Sequence, residues 1–184
     1  MPIVQHRFLN HQISPETEIL ILGTFNPDVE GGPTFFYGRP RNFLWHLLPG
    51  CRGLPSLKHN TLVAKQEFMS IYRIDFVDLI ASVDVSAGQE RNVSDSYIDG
   101  LVHQWTDVIA VINSLKKLKS VYFTRKTFSG IPNIKTHIRG IQNHCGNNNI
   151  RFCLLETPAR YVNDMKQHQW IDTIVNRHHC AIIL

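Results

Sequence analysis

The sequence contains no long apolar run, no closely spaced cysteine pair and no glycine-rich nucleotide motif. No stretch approaches membrane-spanning length, and the N-terminus lacks the charged-then-apolar order of a signal peptide, so we expect a cytoplasmic protein without membrane contact. The four cysteines are scattered, which argues against a zinc site and favours reduced, buried thiols. Without a Gly-x-Gly-x-x-Gly or Walker pattern, a nucleotide cofactor is disfavoured, and we predict neither cofactor nor metal.

Length and charge limit the remaining possibilities. The 184 residues suit one domain with a sizeable core, so we predict a single domain over residues 1–184, and we expect a monomer. The formal net charge is +4 and the isoelectric point is near 9.0. A mildly basic chain of this kind is compatible with a polyanionic partner but does not establish one.

Apolar segments alternate with segments of helical periodicity. Near-continuous runs of β-branched residues and leucine, typical of strands buried on both faces, occupy residues 18–24, 74–82, 119–125 and 150–156. Apolar residues at three-to-four spacing predict helices at residues 42–48, 61–72, 94–117 and 162–178. This order predicts an α/β fold, a three-layer α/β/α sandwich with a mainly parallel four-stranded central sheet.

Polar and basic residues follow each predicted strand. The four strand ends read "GTFNPD", "DLIAS", "FTRKTFSG" and "LETPARY". In open parallel sheets, ligands bind beyond the carboxyl ends of the strands. We therefore expect these four segments to converge on one cleft.

The segment "ILILGTFNPDVEGGPTFFYGRPRNFLWHLL", residues 19–48, resembles the first motif of the uracil-DNA glycosylase superfamily. The hypoxanthine-DNA glycosylase-like branch is the most similar, followed by the mismatch-specific uracil glycosylases. Weaker similarity extends over residues 74–98, 121–128 and 154–161. The resemblance implies a DNA glycosylase of base-excision repair. Such an enzyme flips a deaminated base, uracil or hypoxanthine, out of DNA and hydrolyses its N-glycosidic bond, without a metal or cofactor.

Three residues are candidates to hold or activate the attacking water: Asn26, Asn42 and Asp28. An amide orients water, whereas a carboxylate can also take its proton. The resemblance places the catalytic amide on either Asn26 or Asn42. Each candidate also has a plain structural interpretation, since Asn26 can initiate a turn before Pro27, Asn42 can cap a helix starting at Phe43, and Asp28 can be an exposed turn residue.

The flipped base needs a stacking surface and polar partners. Stacking one base on an aromatic ring contributes about 1–3 kcal/mol, and Phe36 or Tyr37 is the predicted platform. Backbone N–H groups of the turn made by Gly23, Thr24 and Phe25 are predicted to face the base as donors. Asp78 is a candidate acceptor for a ring N–H, with a helix cap or an arginine partner as the alternative.

The phosphates of DNA need cations and hydrogen-bond donors. For each cation, a solvated surface position is the alternative. Arg160 and Tyr161 are the predicted wedge that fills the space left by the extruded base. The predicted DNA-binding residues are Arg39, Arg41, Arg125, Lys126, Thr157, Pro158, Arg160 and Tyr161.

Two other functions remain open at this point. The last motif reads Glu156-Thr157-Pro158-Ala159 where the superfamily usually has serines, so a catalytically impaired relative that only binds nucleic acid is the main alternative. A small-molecule hydrolase on the same scaffold, acting on a nucleoside or sugar, is a further one.

Overall fold

The computed structural model of the protein describes residues 2–176, 180, 181 and 183. The predicted end of the last helix, at residue 178, lies outside this range. Within it, none of the helices is both long and apolar enough to cross a bilayer. The described elements are β1 (Ile3–Gln5), β2 (Ile19–Gly23), α1 (Leu44–Gly50), α2 (Leu62–Tyr72), β3 (Ile74–Asp78), β4 (Ile80–Asp84), α3 (Asp95–Ile98), β5 (Val102–Trp105), α4 (Val108–Ser114), β6 (Ser120–Phe123), α5 (Pro132–Asn147), β7 (Arg151–Leu154) and α6 (Asp164–Ile174).

Four strands form a central parallel sheet in the order β3-β2-β6-β7. Ile21 of β2 stands in register with Phe76 of β3 on one side and Tyr122 of β6 on the other. All four carboxyl ends therefore lie at the same edge of the sheet. This confirms the predicted four-stranded parallel sheet.

Side chains of the central strands alternate between two apolar cores. Leu20 and Leu22 of β2 pack toward α4, α5 and a second, smaller sheet. Ile21, between them, packs on the opposite face with α1, α2 and α6. Because successive side chains of a strand point to opposite faces, one apolar run supplies both cores. The result is the predicted three-layer α/β/α arrangement.

The predicted second strand, residues 74–82, is in fact two strands in two sheets. Only Leu79 separates β3 from β4, which pairs antiparallel with β1 and β5. The N–H groups of Leu79 and Ile80 donate to the carbonyls of Gly23 and Thr24, which carries the chain past the end of β2. The run is predominantly apolar on both sides of Leu79, so its sequence does not reveal the change of sheet.

The predicted helix at residues 94–117 is also wrong, because the segment divides into α3, β5 and α4. Asp99 ends the first part. Its carboxylate is turned away from its own segment and accepts the backbone N–H groups of Asn133 and Ile134 at the start of α5. Asp107 starts α4 by accepting the N–H of Ala110. Carboxylates therefore interrupt an apolar spacing that is otherwise helical.

Helix α5 was not predicted, although its sequence carries signals for it. Pro132 stands at the first turn, where its missing N–H costs nothing. Ile134, Ile138, Ile141 and Cys145 then recur at three-to-four spacing and are fully buried. This helix makes the crossover from β6 to β7.

The cysteines differ from the expectation of four reduced thiols. Cys153 of β7 forms a disulfide with Cys180, which ties the C-terminal segment to the sheet. Cys51 and Cys145 are free and buried, as expected. Burial raises the pKa of Cys51 from 9.0 to about 12, so its thiol stays protonated. In the described part of the chain, His, Cys, Asp and Glu side chains form no group of three or more that could hold a metal ion.

Candidate active site

A cleft of about 680 Å³ opens at the carboxyl ends of the parallel strands. The segments following β2, β3, β6 and β7 all contribute to it, as a topological switch in a parallel sheet requires. Its volume lies within the range of small-molecule pockets. The sequence-predicted residues that line it are Gly23, Thr24, Phe25, Asn26, Tyr37, Arg39, Asn42, Asp78, Arg125, Lys126, Thr157, Pro158 and Arg160.

Four predicted site residues do not line this cleft. Phe36 is 1% exposed and packs among other aromatic rings, including Phe76, so its assignment as a stacking platform is wrong. Asp28 is exposed, lies outside the cleft and pairs with Arg7 at 3.3 Å. Arg41 lines a separate groove. Tyr161 is 55% exposed, outside the cleft.

A buried hydrogen-bond network forms the wall of the cleft at β2 and β3. Asp78, at the end of β3, is 3% exposed, and its Oδ2 is 2.6 Å from Nδ2 of Asn26 and 2.7 Å from Nε2 of His6. The Asn26 amide therefore donates to a carboxylate and is held in one orientation. His6 reaches Asp78 because it follows β1, whose partner β4 directly continues from β3.

Backbone contacts define the proton position on His6. The N–H of Phe8 donates to His6 Nδ1 at 3.1 Å, so Nδ1 acts as an acceptor. Nε2 therefore carries the hydrogen and donates to Asp78 Oδ2. A neutral imidazole and a side-chain amide both donate to one carboxylate oxygen, and Oδ1 of Asp78 takes no part in either bond.

Gly23 is required where β2 ends beside this network. A Cβ atom at this position would overlap Asp78 Oδ1 and lie 2.9 Å from the hydroxyl of Tyr37. The absence of a side chain therefore lets the carboxylate and the phenol approach the same point on the backbone. The turn at Gly23 was predicted from the end of the strand and from the resemblance of the first motif, and the close approach gives a physical reason for glycine at this position.

The loop between residues 27 and 41 is called the first-motif loop here. Tyr37 is the aromatic residue of this loop that lines the cleft. Its backbone is left-handed, with φ +55, an uncommon conformation for a residue that is not glycine. Its hydroxyl is 3.2 Å from Oγ1 of Thr124, and its ring packs against Phe76 with centroids 5.6 Å apart. Burial, with a smaller contribution from the Asp78 charge, raises the pKa of Tyr37 well above 10.0, so the phenol stays neutral.

Asn42 has a structural role as well as a place in the cleft. Its Oδ1 accepts the N–H of Leu44, the first residue of α1, at 3.0 Å, although the N-cap position belongs to Phe43 and not to Asn42 as the capping interpretation had it. The residues next to Asn42 link the first-motif loop to the loop that follows β7. The N–H of Phe43 donates to the carbonyl of Pro158 at 2.8 Å, and that of Arg160 to the carbonyl of Arg41 at 2.9 Å.

Cations dominate the opposite side and the mouth of the cleft. Arg125 pairs with Asp95, and burial raises the pKa of this carboxyl, an effect that the Arg125 charge partly offsets. Arg39 is half-buried, and desolvation lowers the pKa of its guanidinium, which the Asp78 charge partly restores. For Lys126 and Arg160, the described residues include no salt-bridge partner.

The loop after β7 presents Arg160 in a defined conformation. Arg160 is exposed and left-handed, with φ +78. On α6, the buried ammonium of Lys166 donates to the carbonyls of Ala159 and Tyr161, at 3.3 and 2.9 Å, and lies over the Tyr161 ring. Lys166 therefore fixes the backbone on both sides of Arg160.

Among the titratable residues of the site, sequence reasoning missed His6, Asp95 and Glu156. His6 is 72 positions from Asp78, and a single histidine gives no local signal. Asp95 begins a short helix within the serine-rich stretch 94–96, and Glu156 ends the segment after β7. Glu156 follows a strand of the parallel sheet, so its position was an available signal, whereas Asp95 follows β4 of the smaller sheet and had none.

The fold has a counterpart among solved structures. No protein-family model and no curated protein matches the chain. A solution NMR structure, described as a putative uracil DNA glycosylase from Methanosarcina acetivorans, matches it with a TM-score of 0.57. The match covers 91% of this chain and 94% of that chain, at 19% sequence identity. The likeness shows that the two chains share their fold.

Proposed function

We propose that the protein is a DNA N-glycosylase that takes a deaminated base, uracil or hypoxanthine, into the cleft and hydrolyses its N-glycosidic bond. The observation that carries the proposal is the buried network of His6, Asp78 and Asn26 facing a cleft with a cationic mouth. The shared fold with a protein described as a putative uracil DNA glycosylase supports it.

The network suits the orientation of a water molecule. Breaking the N-glycosidic bond places positive charge on the sugar and negative charge on the departing base. Because Nδ2 of Asn26 is bound to Asp78, its Oδ1 is available to accept a hydrogen bond from water. An ionised Asp78 also favours the positive charge that develops on the sugar, while its own Oδ1 can accept a proton or a ring N–H.

Tyr37 replaces Phe36 as the aromatic partner of the base in this proposal. Its neutral hydroxyl remains a hydrogen-bond donor at physiological pH and can stabilise negative charge on the departing base. A left-handed backbone held by packing keeps the ring in place before the substrate arrives. Such preorganisation reduces the entropy lost in reaching the transition state.

One observation favours the alternative, a nucleic-acid-binding protein without activity. Each candidate amide already holds a neighbouring group: Asn42 Oδ1 accepts the N–H of Leu44, and Asn26 Nδ2 donates to Asp78, which leaves only the Asn26 Oδ1 for water. An amide that serves only to hold its neighbours would leave water unoriented. Such a protein would keep the aromatic ring and the cations but release no base.

A base-release assay separates the two functions. The protein is incubated with oligonucleotides carrying uracil, hypoxanthine or undamaged bases, single-stranded and duplex, and abasic sites are counted. We expect abasic sites from the deaminated bases, and a rate lowered about 100-fold or more by Asn26→Ala with DNA binding retained. Asn113→Ala, on the exposed surface of α4, is the control. Binding without abasic sites from any substrate would assign the alternative.

A further inference from the structure

A second groove, of about 710 Å³, lies beside the cleft. Its lining comes from the first-motif loop between residues 27 and 41, together with Arg91 from a distant part of the chain. We propose that this groove binds the phosphodiester backbone of the nucleic-acid strand that continues from the nucleotide held in the cleft. The inference rests on the proposed function for its choice of partner.

The groove and the cleft are neighbours and share part of their lining. Arg39 lines both. Arg91 of the groove is also only two residues before Val93, which lines the cleft. A strand with one nucleotide in the cleft would therefore meet the groove next, with the same two segments as its walls.

Charge identifies the occupant as an anion. Arg39, Arg41 and Arg91 line the groove, whereas Glu30 is its single acidic lining residue among those described. A guanidinium matches phosphate geometry through two parallel N–H···O bonds. Three such groups along a groove suit a repeating anion better than a single one. Arg41 does not line the cleft, as was predicted, but in this proposal it contacts the flanking strand from the groove.

The first-motif loop is braced from beneath, so the groove exists without its ligand. Arg7 donates to the carbonyl of Val29 and pairs with Asp28, whose charge is thereby partly neutralised. Gly32 packs directly on the Arg7 guanidinium, since a Cβ there would lie 3.0 Å from Arg7 Cζ. The indole N–H of Trp45 holds the carbonyl of Phe36 at 2.8 Å. A preformed groove loses little conformational entropy on binding.

The salt dependence of binding tests the groove directly. The anisotropy of a labelled single strand, roughly 15 nucleotides long with one central uracil or hypoxanthine, is measured between about 50 and 200 mM salt. For Arg41→Ala and Arg91→Ala we expect weaker binding and a slope of log K against log salt that is shallower by about 0.7 for each lost phosphate contact. The lysine variants at both positions should keep most of the slope. Arg52→Ala, which lines neither cavity, is the matched control. An unchanged slope in the Arg41→Ala, Arg91→Ala double variant would overturn the proposal.

Base release from two substrate lengths separates this proposal from the proposed function. On a trinucleotide with the deaminated base in the middle, the double variant should match the wild-type protein, and on the longer strand it should be slower. If the double variant and the wild-type protein release base at equal rates from both substrates, the groove proposal is wrong and the proposed glycosylase activity is retained. If the wild-type protein releases no base, but the double variant has a shallower slope of log K against log salt, the proposed glycosylase activity is wrong and the groove proposal is supported.

Discussion

The two walls of the cleft are built in different ways. The β2–β3 wall is interlocked by short hydrogen bonds, and it consists of four buried residues and the half-buried Tyr37; the buried ones are His6, Gly23, Asn26 and Asp78. The β6–β7 wall, made by Arg125, Lys126, Thr157 and Arg160, is half-buried or exposed and carries long cationic side chains. Atoms that must be placed accurately for a reaction need a packed, hydrogen-bonded wall. Attraction of a polyanion needs only accessible cationic side chains. We therefore expect substitutions in the β2–β3 wall to affect base release and stability, and substitutions in the β6–β7 wall to affect DNA binding.

The largest expected effect comes from Asp78→Asn in the buried wall. The substitution keeps the size of the side chain but removes the charge that orders His6 and Asn26. We expect base release to fall about 100- to 1,000-fold, with DNA affinity changed only a few-fold. Single-turnover base release and anisotropy measured on the same preparation check both parts. An active Asp78→Asn variant would mean that the wall positions nothing essential.

Gly23→Ala tests how tightly the same wall is packed. The added methyl group would overlap Oδ1 of the buried Asp78 and lie 2.9 Å from the hydroxyl of the half-buried Tyr37, so at least one of these side chains must move. We expect a loss of about 1–3 kcal/mol in the free energy of unfolding, measured by urea denaturation, together with loss of activity. Gly140→Ala, in α5 with open space around it, is the control and should stabilise the helix by about 0.5–1 kcal/mol.

Alkaline pH should act on the buried wall through Tyr37. The pKa of Tyr37 is raised in the folded protein, so the folded chain keeps a proton that the unfolded chain releases above pH 10.0. The free energy of unfolding should therefore decrease as pH rises through that range, by about 1.4 kcal/mol per pH unit. Tyr37→Phe should show a shallower decrease in denaturation curves. Tyr161→Phe, which removes an exposed phenol outside the cleft, should keep the wild-type slope.

Lys126→Ala in the cationic wall should have the smallest effect. Its side chain lines the cleft and has no acidic partner among the described residues. We expect stability within about 0.5 kcal/mol of wild type and a salt slope shallower by about 0.7 on single-stranded DNA. An unchanged kcat with a raised KM would be the kinetic counterpart. A large fall in kcat would remove the distinction between the walls.

The sequence predicted best what local composition determines. Continuous apolar runs identified β2, β6 and β7, and the strand ends identified the cleft. Composition could not show that Leu79 separates two sheets, because an apolar strand reads the same in either. Val102 and Trp105 also fit a helical spacing, although pairing with β4 makes their segment a strand.

The sequence predicted where the site lies better than it predicted how the side chains of the site are oriented and paired. Tyr37 and Phe36 are adjacent aromatics, and only tertiary packing turns one toward the cleft and the other into the core. The partnership of His6 with Asp78 depends on β1 lying beside β4, a long-range pairing without any sequence pattern. Position in the topology was predictable, whereas hydrogen-bond partners were not.

The single residue between β3 and β4 also limits how this protein can change in length. One inserted residue there would shift β4 by one position, exchange its inward and outward side chains, and move Val83 from the core to solvent. The same insertion would displace Ala81, whose carbonyl accepts the N–H of His6 at 2.8 Å. Insertions at the exposed Gly31 would not change the register of any strand, although they would alter the groove that Gly31 lines. Divergent relatives should therefore vary in length around Gly31 and keep an invariant count of residues from Asp78 to Ala81.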